Sequence, residues 1–295
     1  MNKGIRISSG GRNERVADLL INRLLPNEQT IKVGPFVFLG HTYPTVQKSR
    51  EPEPYRGKHA HPHRGIVTLS YLLSGSLQHI DSHHNQGTAG TGDALWMKAG
   101  NGIVHDERPA PGFLRQGGIL HVVQFWINLP AVNKQEDPEY MLLLSCDIPE
   151  LDLPDDAGVL RVVLGSCGVR ESPIQTFLGE FIYHVRLNPK SAFTYTPKMY
   201  LEYAAFIPAD EIHVNGQVTG KSHLLVFFDN EPVIHLYNPG IVMADAFIFG
   251  GGEYLEPIVS TGPFVMNSRK EITLAYSDFY EGRYGVLKID EGSDT

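Results

Sequence analysis

Cysteine is nearly absent. The 295-residue chain holds two, Cys146 and Cys167, too few for a disulfide framework, and neither stands in a Cys-x-x-Cys or zinc-ribbon spacing. A reducing, cytoplasmic setting is the expectation. Long apolar runs are missing as well. No stretch reaches the roughly 18 residues of a membrane span, and the first twenty residues lack the apolar core of a signal peptide. The expectation is a soluble intracellular protein with no membrane partner. Basic charge is in deficit, with 25 Lys and Arg against 33 Asp and Glu and a formal net charge of −8. A direct nucleic-acid binder carries a basic stripe, and none is visible. There is no glycine loop ending in Gly-Lys-Ser/Thr to cradle phosphate, and no Gly-x-Ser-x-Gly nucleophile elbow.

What the chain has in quantity is glycine, proline and histidine, at 30, 20 and 13 residues. At 42% hydrophobic and 20% charged it is globular, and its glycine and proline favour many turns over long helices. Its length suits one large or two ordinary domains. Short apolar stretches alternate with turn signals: Ile66–Leu73 before Ser74-Gly75-Ser76, then Leu77–Asp81, Ala94–Met97, Ile103–Glu107 and the long Ile119–Leu129. That spacing predicts a sandwich or barrel. Residues 83–87 read as a turn and 108–118 as a Pro/Gly loop. The polar, proline-punctuated stretch 130–158 reads as a crossing between domains. A second strand series follows, including Phe181–Leu187, Leu201–Phe206, Leu224–Phe228 and Ala246–Phe249, with turns such as Asp229-Asn230. Two similar series predict a tandem repeat of one barrel type, divided as 1–135 and 136–295. Arg15–Leu25 is compatible with a short helix ended by Pro26 or with a strand. Ser268–Tyr284 is the best late helix candidate.

One histidine cluster has no simple packing explanation. In a strand, residues i and i+2 share a face, so His61 and His63 point one way and, some forty residues later, His105 and Glu107 do the same. Polar groups inside a small barrel are costly unless partnered. Three imidazoles and a carboxylate converging on one ion resolve that cost, and the set suits a divalent transition metal. His59 extends the alternation but falls at the barrel rim, as an outer or substrate-facing group. His83-His84 reads as a solvated hairpin tip. His41, His79, His121, His213, His223 and His235 read as ordinary surface or satisfied core residues.

The stretches HPHRGIVTLSYLLSG (61–75), GDALWMKAGNGIVHDERP (92–109), LHVVQFWINLPA (120–131) and EPIVSTGPFVMNSRKEI (256–272) closely resemble the pirin family of bicupins. The resemblance implies an all-β chain of two tandem cupin-type barrels with a few short helices. It implies one Fe(II) in the N-terminal barrel, with Mn, Co, Ni, Cu and Zn as other divalent ions the site accepts, and a degenerate C-terminal barrel. It carries the ligand set onto His61, His63, His105 and Glu107. The C-terminal half has no His-x-His, consistent with a single metal. The general cupin pattern has a glutamate four residues after the second histidine, where this chain has Val67; that departure bears on pocket polarity and substrate choice. Two functions follow by resemblance. One is a dioxygenase opening flavonols such as quercetin, with Glu107 taking the hydroxyl proton. The other is an iron-dependent regulatory protein acting through a protein partner, without direct nucleic-acid contact. Fold alone does not choose between them.

Overall fold

In the computed structural model, residues 4–16, 19–198, 200–228 and 233–288 are described; the Asp229-Asn230 turn lies outside them. The chain is mostly β and forms two cupin domains. They are not contiguous halves. One compact unit joins residues 1–43 to 146–254, and the other joins 44–145 to 255–295. This differs from the division 1–135 and 136–295 read from the sequence. The physical reason is strand pairing at the chain ends. Ile5–Ser9 pairs antiparallel with His223–Phe227, while Phe264 and Met266 pack with Ile272, Ala275 and Tyr284 against Val104.

The unit containing the histidine cluster is built chiefly on two antiparallel sheets. One runs Gln86–Ala89, Leu77–Asp81, Ile103–Pro109, His61–His63. The other includes Glu139–Leu143, Ala94–Lys98, Ile66–Ser74 and Gly118–Asn128, in that order. Ile66–Ser74 is buried over its first seven residues, as expected of a strand covered on both faces. The expected 83–87 turn is shorter than predicted, because Gln86–Ala89 pairs with Leu77–Ile80 as a strand. The 108–118 loop contains a one-and-a-half-turn helix, Pro111–Gln116, with proline at its start, where the missing N–H is no loss.

The other unit repeats the plan with an apolar interior. Its larger sheet includes Ile5–Ser9, His223–Phe227, Leu201–Ile207, Ala244–Gly252, Phe181–Leu187, Gly158–Leu164 and Glu150–Asp152. Its smaller sheet runs Ala192–Tyr195, Ile234–Tyr237, Ile212–Val214, Gln217–Thr219. The ambiguous N-terminal stretch is β: Arg12–Val16 pairs with Leu19–Leu25, which pairs in turn with residues of Phe36–Gln47. The late helix is Arg269–Tyr280, capped by the Ser268 side chain accepting from the Glu271 backbone N–H. Glu271 returns a carboxylate contact to the Asn267 N–H, a variant of the reciprocal capping box.

Candidate metal centre

The register explains how two distant sequence pairs become one cluster. His61 lies directly opposite His105, and His63 opposite Ile103, across one antiparallel ladder. On the other side of that strand, His105 faces Asp81 and Glu107 faces His79. Same-face alternation therefore gathers His61, His63, His105, Glu107, His79 and Asp81 on one surface.

The rings of His61, His63 and His105 lie with centroids 4.5–5.0 Å apart. Each offers a ring nitrogen to a set whose atoms all fall within 4.8 Å of one another. The outer nitrogens are already committed. His61 Nδ1 sits 2.9 Å from the His59 carbonyl, and His63 Nδ1 sits 3.0 Å from the Pro263 carbonyl. A carbonyl only accepts, so both Nδ1 atoms carry the proton and both Nε2 atoms present lone pairs. His105 Nε2 lies 3.1 Å from His61 Nε2. Carbonyl-anchored imidazoles whose remaining nitrogens face each other are the arrangement in which metal-binding histidines are held. Burial reinforces the neutral form. It pushes the His63 imidazole down to about 3, helped by the nearby His61 charge, and it holds His105 well below the ordinary histidine range. His63 and His105 are buried, whereas His61 is exposed, so the cluster opens on the His61 side. The donor set fits a divalent transition metal.

Glu107 belongs to a second, overlapping group with His79 and His105. Its Oε1 lies 3.7 Å from His79 Nδ1 and 3.9 Å from His105 Nδ1. Its Oε2 accepts from Ser70 Oγ at 2.7 Å and Gln124 Nε2 at 3.3 Å. The structure thus brings the three predicted histidines together directly and joins the predicted carboxylate to them through His105. Trp126 sets its ring edge against His63, with centroids 4.9 Å apart.

His79, read from the sequence as an ordinary surface or satisfied core residue, is wholly buried, stacked on Tyr140 at 4.5 Å, and its Nε2 lies 3.2 Å from Asp81 Oδ2; what that reading left out is its place beside His105 and Glu107. Burial alone would lower its pKa; the Asp81 hydrogen bond and the charges of Asp81 and Glu107 outweigh that and raise it. The signal was a second i, i+2 pair, His79-x-Asp81. The His83-His84 tip is exposed, as expected, but its backbone has a role. The N–H groups of His83 and Asn85 donate to Asp81 Oδ1, fixing the carboxylate that fixes His79. His59 contributes its carbonyl to the cluster, and its residue is exposed. Val67 is paired with Ile127 while Thr68 is paired with Trp126 and Ser70 with Gln124. By alternation Val67 points away from the face that holds Ser70 and Gln124, so Thr68 and Ser70 set the polarity there.

A β-fold of two cupin domains, one holding a histidine cluster suited to a metal, defines the class. Within it, residues 18–127 match the pirin family and residues 182–285 match the pirin C-terminal cupin domain. The chain belongs to the pirin family. It is 34% identical over 257 residues to a Pseudomonas aeruginosa protein named provisionally a quercetin 2,3-dioxygenase, covering 85% of this chain and 87% of that one. It is 32% identical to Pirin-1 of Arabidopsis thaliana over 76% of this chain and 77% of the relative. A crystal structure of quercetin 2,3-dioxygenase from Acinetobacter baumannii superposes with a TM-score of 0.89 at 25% identity, covering 98% of this chain and 100% of the other. No helix among the described residues is long and apolar enough to cross a membrane.

Proposed function

We propose that this protein is a metal-dependent dioxygenase acting on flavonol-type substrates, with His61, His63, His105 and Glu107 holding Fe(II). The observation that carries the metal reading is the convergence of three imidazoles, two of them anchored through Nδ1 to backbone carbonyls. The choice of reaction draws on the relatives named as quercetin dioxygenases. A metal there would supply Lewis-acid and redox chemistry at which O₂ and the substrate's enolate oxygens can meet.

The chain's own groups have separable tasks. The imidazoles orient the donor atoms, and exposed His61 marks the side from which substrate enters. Ser70 and Gln124 occupy Glu107 Oε2, leaving Oε1 for the metal or for the substrate's hydroxyl proton. Trp126 fixes the back of His63.

The second reading is an iron-dependent regulatory protein that acts on a protein partner without turnover. Its support is that relatives are named as pirins rather than for a reaction. Anaerobic purification, loading with one Fe(II) per chain and O₂-uptake assays against a flavonol panel separate the two readings. Uptake above that of free iron is the expected result. Its absence with every flavonol at full loading overturns the dioxygenase reading.

A further inference from the structure

The Pro263 carbonyl that anchors His63 lies 200 residues along the chain, in the turn between the strands Val259–Thr261 and Phe264–Met266. An anchor so remote in sequence orients an imidazole only if the hairpin carrying it is itself fastened. One side chain fastens it. Lys134 Nζ donates to the Val265 carbonyl at 2.7 Å, to the Gly65 carbonyl at 2.8 Å and to Asn128 Oδ1 at 2.5 Å. Three acceptors saturate the three protons of an ammonium. Gly65 is two residues after His63, and Val265 is two residues after Pro263. A single buried amine, whose pKa burial lowers to about 7, therefore ties together the two backbone segments that carry the His63–Pro263 hydrogen bond.

The surrounding backbone is built for this approach. The Val265 N–H donates to the Arg64 carbonyl at 3.2 Å, and Arg64 bridges Phe264 in parallel. Gly65 has φ +80°, and a Cβ there would collide with the Val265 carbonyl oxygen. This is why glycine closes the His-Pro-His-Arg-Gly stretch: no other residue lets the hairpin come so near. Lys134 is 1% exposed although it is a lysine on a short 3-10 turn.

We propose that Lys134 is a positioning residue of the metal centre, clamping the C-terminal hairpin so that the Pro263 carbonyl fixes His63 with its Nε2 lone pair toward His61 and His105. The proposal rests on the metal reading of the cluster. Removing the clamp frees the hairpin, and His63 then samples the other tautomer and other ring orientations. Loss of an outer partner of a metal-bound histidine weakens metal binding by about 10- to 100-fold.

The test uses the full chain with Lys134→Met, which keeps length and removes the charge. Co(II) is the probe, its affinity read by chelator competition and its coordination by visible absorption. The His63 tautomer is read separately by ¹⁵N NMR of the metal-free protein. The expected result is a Co(II) affinity about 10- to 100-fold below wild type, altered absorption bands, and loss of the His63 Nδ1–H signature. Lys98→Met is the control. Lys98 is equally buried in the same unit, but its Nζ pairs with Glu136 and Glu139, so its loss should leave Co(II) affinity and the His63 tautomer unchanged. Should Lys134→Met not fold, Asn128→Ala leaves the ammonium two carbonyl acceptors and should shift both readouts the same way by less. Wild-type affinity and tautomer in the folded clamp variant, or equal losses in Lys98→Met, overturn the proposal. Wild-type protein that binds no Co(II) instead overturns the metal reading, while the His63 tautomer still decides the clamp.

Discussion

The two cupin units are built alike and filled differently. In the unit of residues 1–43 and 146–254, the strand Phe181–Leu187 turns Phe181, Tyr183, Val185 and Leu187 inward at i, i+2 spacing. They meet Tyr203, Ala205, Ile207, Leu225, Phe227, Ile234 and Leu236 in a continuous apolar core. In the other unit the same two-residue period places His61 with His63, His79 with Asp81, and His105 with Glu107 on one face. One architecture therefore has two interiors. An apolar interior is stabilised by burial alone, whereas a polar one needs a partner for every donor and acceptor. The second unit meets part of that demand with carbonyl anchors and with hydroxyl and amide contacts to Glu107. His79 Nδ1 and His105 Nδ1 stay buried without a hydrogen bond among the described residues, with the Glu107 carboxylate 3.7 and 3.9 Å away.

The largest effect that would break this comparison is loss of the metal itself. The double variant His61→Ala and His63→Ala should abolish stoichiometric metal in elemental analysis, since two of three convergent imidazoles disappear. His83→Ala with His84→Ala, at the exposed hairpin tip, should leave metal content unchanged. Full retention in the first variant would remove the distinction between the units.

Glu107→Gln asks whether the carboxylate serves as ligand or as base. The amide keeps the shape and a carbonyl oxygen but takes no proton. Turnover of a flavonol by the iron-loaded protein should fall by roughly 10²- to 10⁴-fold with metal largely retained, if proton removal is its main task. Joint disappearance of metal and activity would assign it to ligation.

Leu236→Ala sharpens the comparison from the other side. The residue is fully buried in the apolar core, so its truncation should cost about 2–5 kcal/mol in denaturant unfolding. Metal content of the folded protein should not change. A large drop in metal would mean that the two interiors are not functionally separate.

The smallest effect concerns a feature that softens the contrast. The apolar unit also buries Glu180, whose carboxylate accepts from the Phe177 and Leu178 N–H groups. Burial raises its pKa above the ordinary 4.5, against the pull of those hydrogen bonds. The native protein therefore holds a proton that the unfolded chain has already lost, and stability falls as pH rises through that window. Unfolding measured across this range should show a shallower decline for Glu180→Gln than for wild type. Identical slopes would place the titration elsewhere.

The sequence by itself determined the β period, the strand series and the three histidines, because all of these follow from local alternation and turn chemistry. His61-x-His63 and His105-x-Glu107 are legible because i, i+2 neighbours share a face in any strand. Helix or strand at Arg15–Leu25 was undecidable locally, since a short apolar run satisfies both periods, and pairing with Phe36–Gln47 made it β. The strand Gln86–Ala89 was hidden by its polar residues, and the Pro111–Gln116 helix by its proline and glycine. His79 looked ordinary because two of its partners, Glu107 and Tyr140, come from other strands. Only the tertiary structure decided that the last forty residues join the histidine unit, that Pro263 anchors His63, and that Lys134 clamps Gly65 to Val265. These contacts span 69 to 200 residues. No local pattern encodes them, because the groups meet only once burial and strand pairing have brought distant backbone together.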